Sequence, residues 1–456
     1  MKKVSRDEML NGKISEVILR LAIPMIFGIL SLVTFNLADT FFIGRLGKEQ
    51  LAAVSFTFPV VLIINSISLG LGMGASSVVS RAAGENNYKK VRCVGTDSII
   101  LGFIFALITA FLGIKFIDEI FSLLGAEKKM LNYISEYMTI WFLGVPFVVI
   151  PMVGNNIIRA LGDTKVPSII MTISALINVV LDPLLIFGIG PFPYMGIRGA
   201  ALATVFARMT SFTVAFYVLI KRDKIIKLEN LTIGRIISNW KQVLYVGIPN
   251  SMIKMTQPIS SGIITRFLSA YSIAAVAGYG VGTRLEFFAL SFINALSSVM
   301  IPFSGQNYGS GKYERIIIGI KFAVKAMILY SVGAYLVLFV FSDFIARIFN
   351  ESIDVQNYIR LYLLIVPLGY GFQGIFMVIT SVLNAINRPI HAAAFTFSQI
   401  FIIYIPIALF LSKFFDVKGI FSAVVISYII TSALLMKYFK KILKNSIIKN
   451  KNKLGK

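Results

Sequence analysis

The stretch LINVVLDPLLIFG (residues 176–188) sets an amide and a carboxylate four residues apart inside an otherwise aliphatic run. On a helix, Asn178 and Asp182 project from one face a turn apart. Pro183 has no backbone donor, so the carbonyl of Val179 is left without its usual partner. One helix patch then offers a carboxylate, an amide oxygen and a carbonyl, the kind of oxygen set that hard cations prefer. A second acid, Asp39 in FNLADTFFIG, is also flanked by apolar residues, and Thr204 in GAALATVFAR adds a hydroxyl. If the two carboxylates face each other in a low-dielectric site they repel, so that one takes up a proton or the pair holds a cation. The competing readings are a structural hydrogen-bond knot at Asp182 and, at Asp39, an acid reaching for the outer interface.

The second half of the chain places Lys254 and Glu286 in apolar runs of their own. Two antiparallel neighbours can bring them together as a structural ion pair. Alternatively, Glu286 offers a counter-charge to a cationic ligand, with Arg284 close enough in sequence to neutralise it. His391, the single histidine, stands beside Pro389 in a loop and has no nucleophile near it in sequence. One cysteine, Cys93, permits neither an internal disulfide nor a multi-cysteine metal cage. No metal-binding HExxH occurs, so a membrane-embedded enzyme is not expected.

These groups must be positioned by elements that live in lipid. The chain has 456 residues, 57% hydrophobic and only 14% charged, whereas a soluble domain carries about 25% charged residues. Apolar runs of about 20 residues recur roughly twelve times, each long enough to cross a bilayer as a helix. They are continuous rather than alternating, which excludes a β-barrel reading. The expected fold is an all-α integral membrane protein with twelve transmembrane helices. The first residues, up to Arg20, read as an amphipathic cytoplasmic lead into the first helix rather than a cleaved signal peptide.

The net charge of +23 follows topology rather than nucleic acid. With the N-terminus inside, about 29 basic residues fall on the cytoplasmic side against about 10 outside, the asymmetry of the positive-inside rule. Both termini are then cytoplasmic, and the basic excess attracts anionic lipid headgroups.

The chain repeats itself. LAIPMIFGILSLVTFNLADTFFI (21–43) aligns with VGIPNSMIKMTQPISSGIITRFL (246–268), GENNYKKV with GSGKYERI, and RALGDTK with NAINRPI, all at one shift. GIRGAALATVFAR pairs with DVKGIFSAVVIS at a slightly smaller one. Six helices per half return the chain to its starting side, so the halves are parallel repeats around a central cleft. The expected organisation is an N-terminal lobe over 1–220, a cytoplasmic connector over 221–241 and a C-terminal lobe with a basic tail over 242–456. Such an architecture suits alternating access. The acids are not repeated: Asp39 aligns with Ile264, and Asp182 roughly with Ile405.

The segments LAIPMIFGILSLVTFNLADTFFIGRLG, VSRAAGENN, NNIIRALGDTKVP, NVVLDPLLIFG and GIRGAALAT resemble the multidrug and toxic compound extrusion (MATE) family, in particular its MepA/DinF-like bacterial branch. The resemblance spans essentially the whole chain. It implies two six-helix lobes that export organic, mostly cationic drugs in exchange for inward H+ or Na+, with no other cofactor. It assigns ion coupling to Asp39, Asn178, Asp182 and Thr204, adds Asn155 on the fourth helix, and makes Pro24 a helix-bending residue. Those four polar residues are also its candidate Na+ ligands. In the NorM-type branch the second lobe carries acids of its own. The nearest match to its seventh-helix glutamate here is Gln257, and its tenth-helix aspartate has no match.

The sequence therefore points to a monomeric multidrug antiporter of the bacterial cytoplasmic membrane, with Gln257, Lys254 and Glu286 as candidate substrate-cleft residues. Its expected partners are organic cations and membrane lipids, not nucleic acid. The alternative is a flippase of the same superfamily carrying lipid-linked precursors, which several basic residues lining the cleft would favour.

Overall fold

The computed structural model describes residues 3–227 and 232–454, except for the side chains of Lys48 and of residues 443–454. Part of the expected connector and most of the expected basic tail thus lie outside the described residues. Among the described residues there are only helices and turns. In chain order the helices are α1 (Arg6–Asn11), α2 (Ile14–Gly44), α3 (Lys48–Gly84), α4 (Tyr88–Lys115), α5 (Ile117–Leu123) and α6 (Lys128–Leu143). Next come α7 (Val145–Ala160), α8 (Lys165–Phe187), α9 (Gly196–Tyr217), α10 (Ile233–Ser269), α11 (Ile273–Ala289) and α12 (Ser291–Gly309). The last are α13 (Tyr313–Val340), α14 (Ser342–Phe349), α15 (Ile353–Ile365), α16 (Tyr370–Ala385), α17 (Pro389–Phe397) and α18 (Ile405–Leu454).

Eight helical stretches are long and apolar enough to cross a membrane, and ten are when each of two bent pairs counts as one crossing. The bent pairs are α6 with α7, at 45°, and α11 with α12, at 48°. The last stretch, Pro389–Ile442, is two crossings, because α18 turns at Asp416, whose φ is 49°. With α10, 37 residues long, the twelve-helix membrane fold is complete.

The repeat is written into the backbone as well as the side chains. Left-handed residues occur in matched pairs: Asn86 with Gly311, Gly162 with Asn387, and Gly196 with Asp416. The short helix α5 has its counterpart in α14, and the break between α6 and α7 at Gly144 matches the 3-10 turn Val366–Gly369 between α15 and α16. One close approach is also duplicated. A Cβ on Gly199 would lie 2.5 Å from the carbonyl oxygen of Leu185, and one on Gly419 would lie 2.4 Å from that of Leu411. Each glycine lets a helix start against the end of its predecessor. Because backbone blocks the added methyl, Gly199→Ala and Gly419→Ala are each expected to destabilise the protein by about 1–3 kcal/mol. Thermal unfolding in detergent checks this, and a melting temperature equal to wild type for both would refute it.

Packing divides the chain into two compact units. One comprises Ile23–Ser251 with the residues before Arg6, and the other comprises Arg6–Ala22 with the chain from Met252 onward. These limits differ from the sequence boundaries at 220 and 242. In the first unit the segment after α9 is fastened to α4: Thr96 donates to the carbonyl of Ile225 (3.2 Å), and the amide of Lys227 donates back to Thr96 (3.1 Å). The buried carboxylate of Asp97 then accepts from Arg235 (3.0 Å) and Asn239 (2.6 Å), while Trp240 donates to its backbone carbonyl (2.8 Å). The first half of α10 is held in this unit by those bonds.

In the second unit, the fully buried Met9 seats α1 beside α12. The carbonyls at the end of α1 accept from Asn307, Lys312 and Arg315, at 3.2 Å to Met9, 3.2 Å to Leu10 and 2.7 Å to Gly12. Cations at a helix C-terminus match its partial negative charge.

Candidate functional site

Helices α2, α8 and α9 converge in the first unit around a small apolar cluster of Phe35, Ala175 and Ala207. Ser174 on α8 donates to the carbonyl of Ala207 on α9 (2.8 Å) and fixes the two backbones together. Within one to two turns of it on each helix stand the polar residues: Asp39 on α2, Asn178 and Asp182 on α8, and Thr204 on α9. Asn178 and Asp182 are both fully buried, and the amide of Asn178 donates to Oδ1 of Asp182 at 3.0 Å. Asp39 and Asp182 are close enough to act on each other electrostatically.

The notable property of this group is what it leaves unsatisfied. Oδ1 of Asp39, Oδ1 of Asn178, Oδ2 of Asp182 and Oγ1 of Thr204 are all buried with no hydrogen-bond partner. Buried polar atoms are almost always paired, so four orphaned oxygens at the junction of three helices call for an explanation. They are hard donors of the kind a proton or a sodium ion satisfies. Among the described residues no cluster of three or more His, Cys, Asp or Glu could hold a metal in a cage of such ligands. Two carboxylates, an amide and a hydroxyl suit a monovalent, exchangeable ion better than a resident transition metal.

Two further residues belong to this site. Tyr137 on α6 lies within electrostatic range of both carboxylates. Arg208 on α9, one turn from Thr204, lies within range of Asp39 and places its guanidinium 4.8 Å from the centroid of Phe35. The sequence carries a signal for Arg208, a permanently charged side chain inside the apolar run that follows Thr204. Tyr137 has none, because tyrosines are scattered through the apolar runs.

Asn155 on α7 also has a buried, unpartnered Oδ1, but no hydrogen bond connects it to the other four. Pro24 lies inside α2 immediately after the residue at which the helix passes from one compact unit to the other. Its neighbour Met25 offers its sulfur to Ser168 (3.7 Å) and to the guanidinium of Arg159 (3.9 Å).

In the second unit, the ion pair expected between Lys254 and Glu286 does not form. Glu286 accepts from the hydroxyl of Tyr362 on α15, and Gln373 on α16 also hydrogen-bonds its carboxylate. The reason is orientation: α11 packs on α15, so its carboxylate turns toward that helix and not toward α10. Tyr362 packs in turn with Tyr279 and Phe421, with ring centroids 5.1–6.4 Å apart. Lys254 has no acid within ion-pair distance among the described residues, and Gln257 is exposed on α10.

The family model MatE matches residues 24–184 and 249–410, once in each half of the chain. Over 92% of this chain and 93% of its own length, a protein named FAD transporter from Shewanella oneidensis is 37% identical. The multidrug export protein MepA of Staphylococcus haemolyticus is 26% identical over 94% of this chain and 95% of its own. Among solved structures, the Vibrio cholerae MATE transporter VcmN in the bent form superposes with a TM-score of 0.90 at 27% identity, covering 95% of this chain and 98% of that one.

Proposed function

The chain belongs to the MatE family, whose members are transporters and not enzymes, and from that premise we propose a secondary exporter driven by inward H+ or Na+. It works by alternating access in the bacterial cytoplasmic membrane, with both termini cytoplasmic. The observation that carries this reading is the set of four orphaned oxygens on Asp39, Asn178, Asp182 and Thr204. With Arg208 counted, the site bears two negative charges and one positive, so one monovalent ion neutralises it. Ion binding drives export only if it favours the conformation that releases cargo, so ion and cargo must bind with opposite preference.

The first reading of the cargo is small organic compounds, mostly cationic, as the name of the MepA relative suggests. A specific observation favours a second reading. Arg208 and Arg159 in the first unit lie within membrane-spanning helices with no acidic ion-pair partner among the described residues. Unpaired cations in such positions attract an anionic group. A flavin dinucleotide, with its pyrophosphate and flat ring, meets that requirement and agrees with the name of the 37%-identical relative.

The test uses purified full-length protein in inside-out proteoliposomes loaded with acid or with sodium. Gradient-dependent accumulation of ethidium supports the first cargo, and gradient-dependent accumulation of FAD supports the second. Accumulation of either compound at a rate indifferent to both gradients overturns ion coupling.

A further inference from the structure

Arg208 counts toward the net charge of the ion site, but its guanidinium rests on a ring and not on a carboxylate. Its guanidinium is a permanent charge with five donors and no acceptor function. In the structure it meets the face of Phe35, 4.8 Å from the ring centroid, and makes no ion pair among the described residues. Phe35 and Asp39 are four residues apart on α2, so ring and carboxylate lie on one helix face about 6 Å apart along the axis. The backbone of α9 cannot carry the guanidinium across that gap, because Ser174 holds the carbonyl of Ala207, and Ala207 is wedged against Phe35 and Ala175. A rotation of the long arginine side chain can. While the guanidinium rests on the ring, Oδ1 of Asp39 has no hydrogen-bond partner.

We propose that Arg208 is a tethered counter-cation that alternates between the Phe35 ring and the Asp39 carboxylate, and so competes with the driving ion for Asp39. This rests on the reading above, in which Asp39 and Asp182 hold that ion. When the ion is bound, Arg208 stays on Phe35. When the ion leaves, Arg208 takes its place, and the carboxylate is never left bare in a low-dielectric site. The competition weakens ion binding enough for release into the cytoplasm. The other titratable groups in range of Asp39 are Asp182 on α8, which Asn178 bonds, and Tyr137 on α6. Neither is a cation, so among the described residues Arg208 alone can play this part.

Two variants shift ion dependence in opposite directions. Arg208→Gln removes the competitor, and the half-saturating ion concentration for export falls about a hundredfold, the scale of a unit charge one helical turn away at an effective dielectric of about 20. Phe35→Leu removes the resting place, pushes Arg208 onto Asp39, and raises the half-saturating concentration by roughly fivefold. Arg208→Lys keeps the charge and restores most of the wild-type value. The measurement is proton- or sodium-driven uptake into inside-out proteoliposomes as the lumenal ion concentration is varied, with the cargo that wild type carries. A merely structural role would lower the amount of active protein without moving the half-saturating concentration. If Arg208→Gln fails to fold, the sign of the Phe35→Leu shift decides. Equal half-saturation in all variants, or shifts of one sign in both, overturns the proposal while leaving the ion site standing. Wild-type ion dependence in Asp39→Asn overturns the ion site instead.

Discussion

Asp39→Asn and Asp182→Asn each abolish ion-driven export while leaving the protein folded. Asparagine has nearly the volume of aspartate and can occupy the same space, so packing of α2 against α8 and α9 is preserved. What is lost is the charge that attracts the ion. A unit charge at about 4 Å and an effective dielectric of about 20 is worth about 4 kcal/mol, roughly a thousandfold in ion affinity. At Asp182 the loss is compounded, because its Oδ1 accepts from Asn178 and its Oδ2 is one of the unpartnered oxygens. Gradient-driven uptake, normalised to monodisperse protein, is the measurement. Full activity in the Asp39/Asp182 double variant would remove the mechanism.

Asp97→Ala has the largest expected effect on stability. The carboxylate is fully buried and accepts from Arg235 and Asn239, and the substitution removes both bonds. Breaking a buried pair from one side costs about 3–5 kcal/mol. The low end applies, since the Arg235 side chain is 21% exposed and can reach solvent. Trp240 still bonds the backbone carbonyl and limits the damage to the side-chain bonds. Asp97→Asn, which keeps an acceptor for these donors, is expected to recover part of the loss. Thermal unfolding of both variants in one detergent tests this, and a melting temperature for Asp97→Ala within a degree of wild type would contradict it.

The fold and much of the site were legible because lipid makes the alphabet strict. Asn178 and Asp182 stood out as polar residues at helical spacing in a run that otherwise reads as hydrocarbon, and the structure buries both and bonds them to each other. Asp39 stood out for the same reason. Arg208 stood out as a charge within an apolar run, but local spacing does not say that it meets Phe35 and Asp39 on α2. The partners of Glu286 could not be read at all. Tyr362 and Gln373 reach it from helices far along the chain, and local spacing says nothing about which face of α11 they approach. The same limitation explains Lys254, whose neighbour in sequence order is not its neighbour in space. The limits of the compact units were also hidden, because they depend on Thr96 and Asp97 capturing a segment more than a hundred residues away.

The matched left-handed residues and the twin glycines at 199 and 419 have a further meaning. Both halves keep the same punctuation, yet Asp39 and Asp182 have only isoleucines, Ile264 and Ile405, at the matching positions of the second. Turn-forming and polar side chains are therefore stored at separate positions, so that the two halves carry different charges without any change in how their helices turn. A protein built in this way can change the polar side chains of one half with the helix turns of both left untouched.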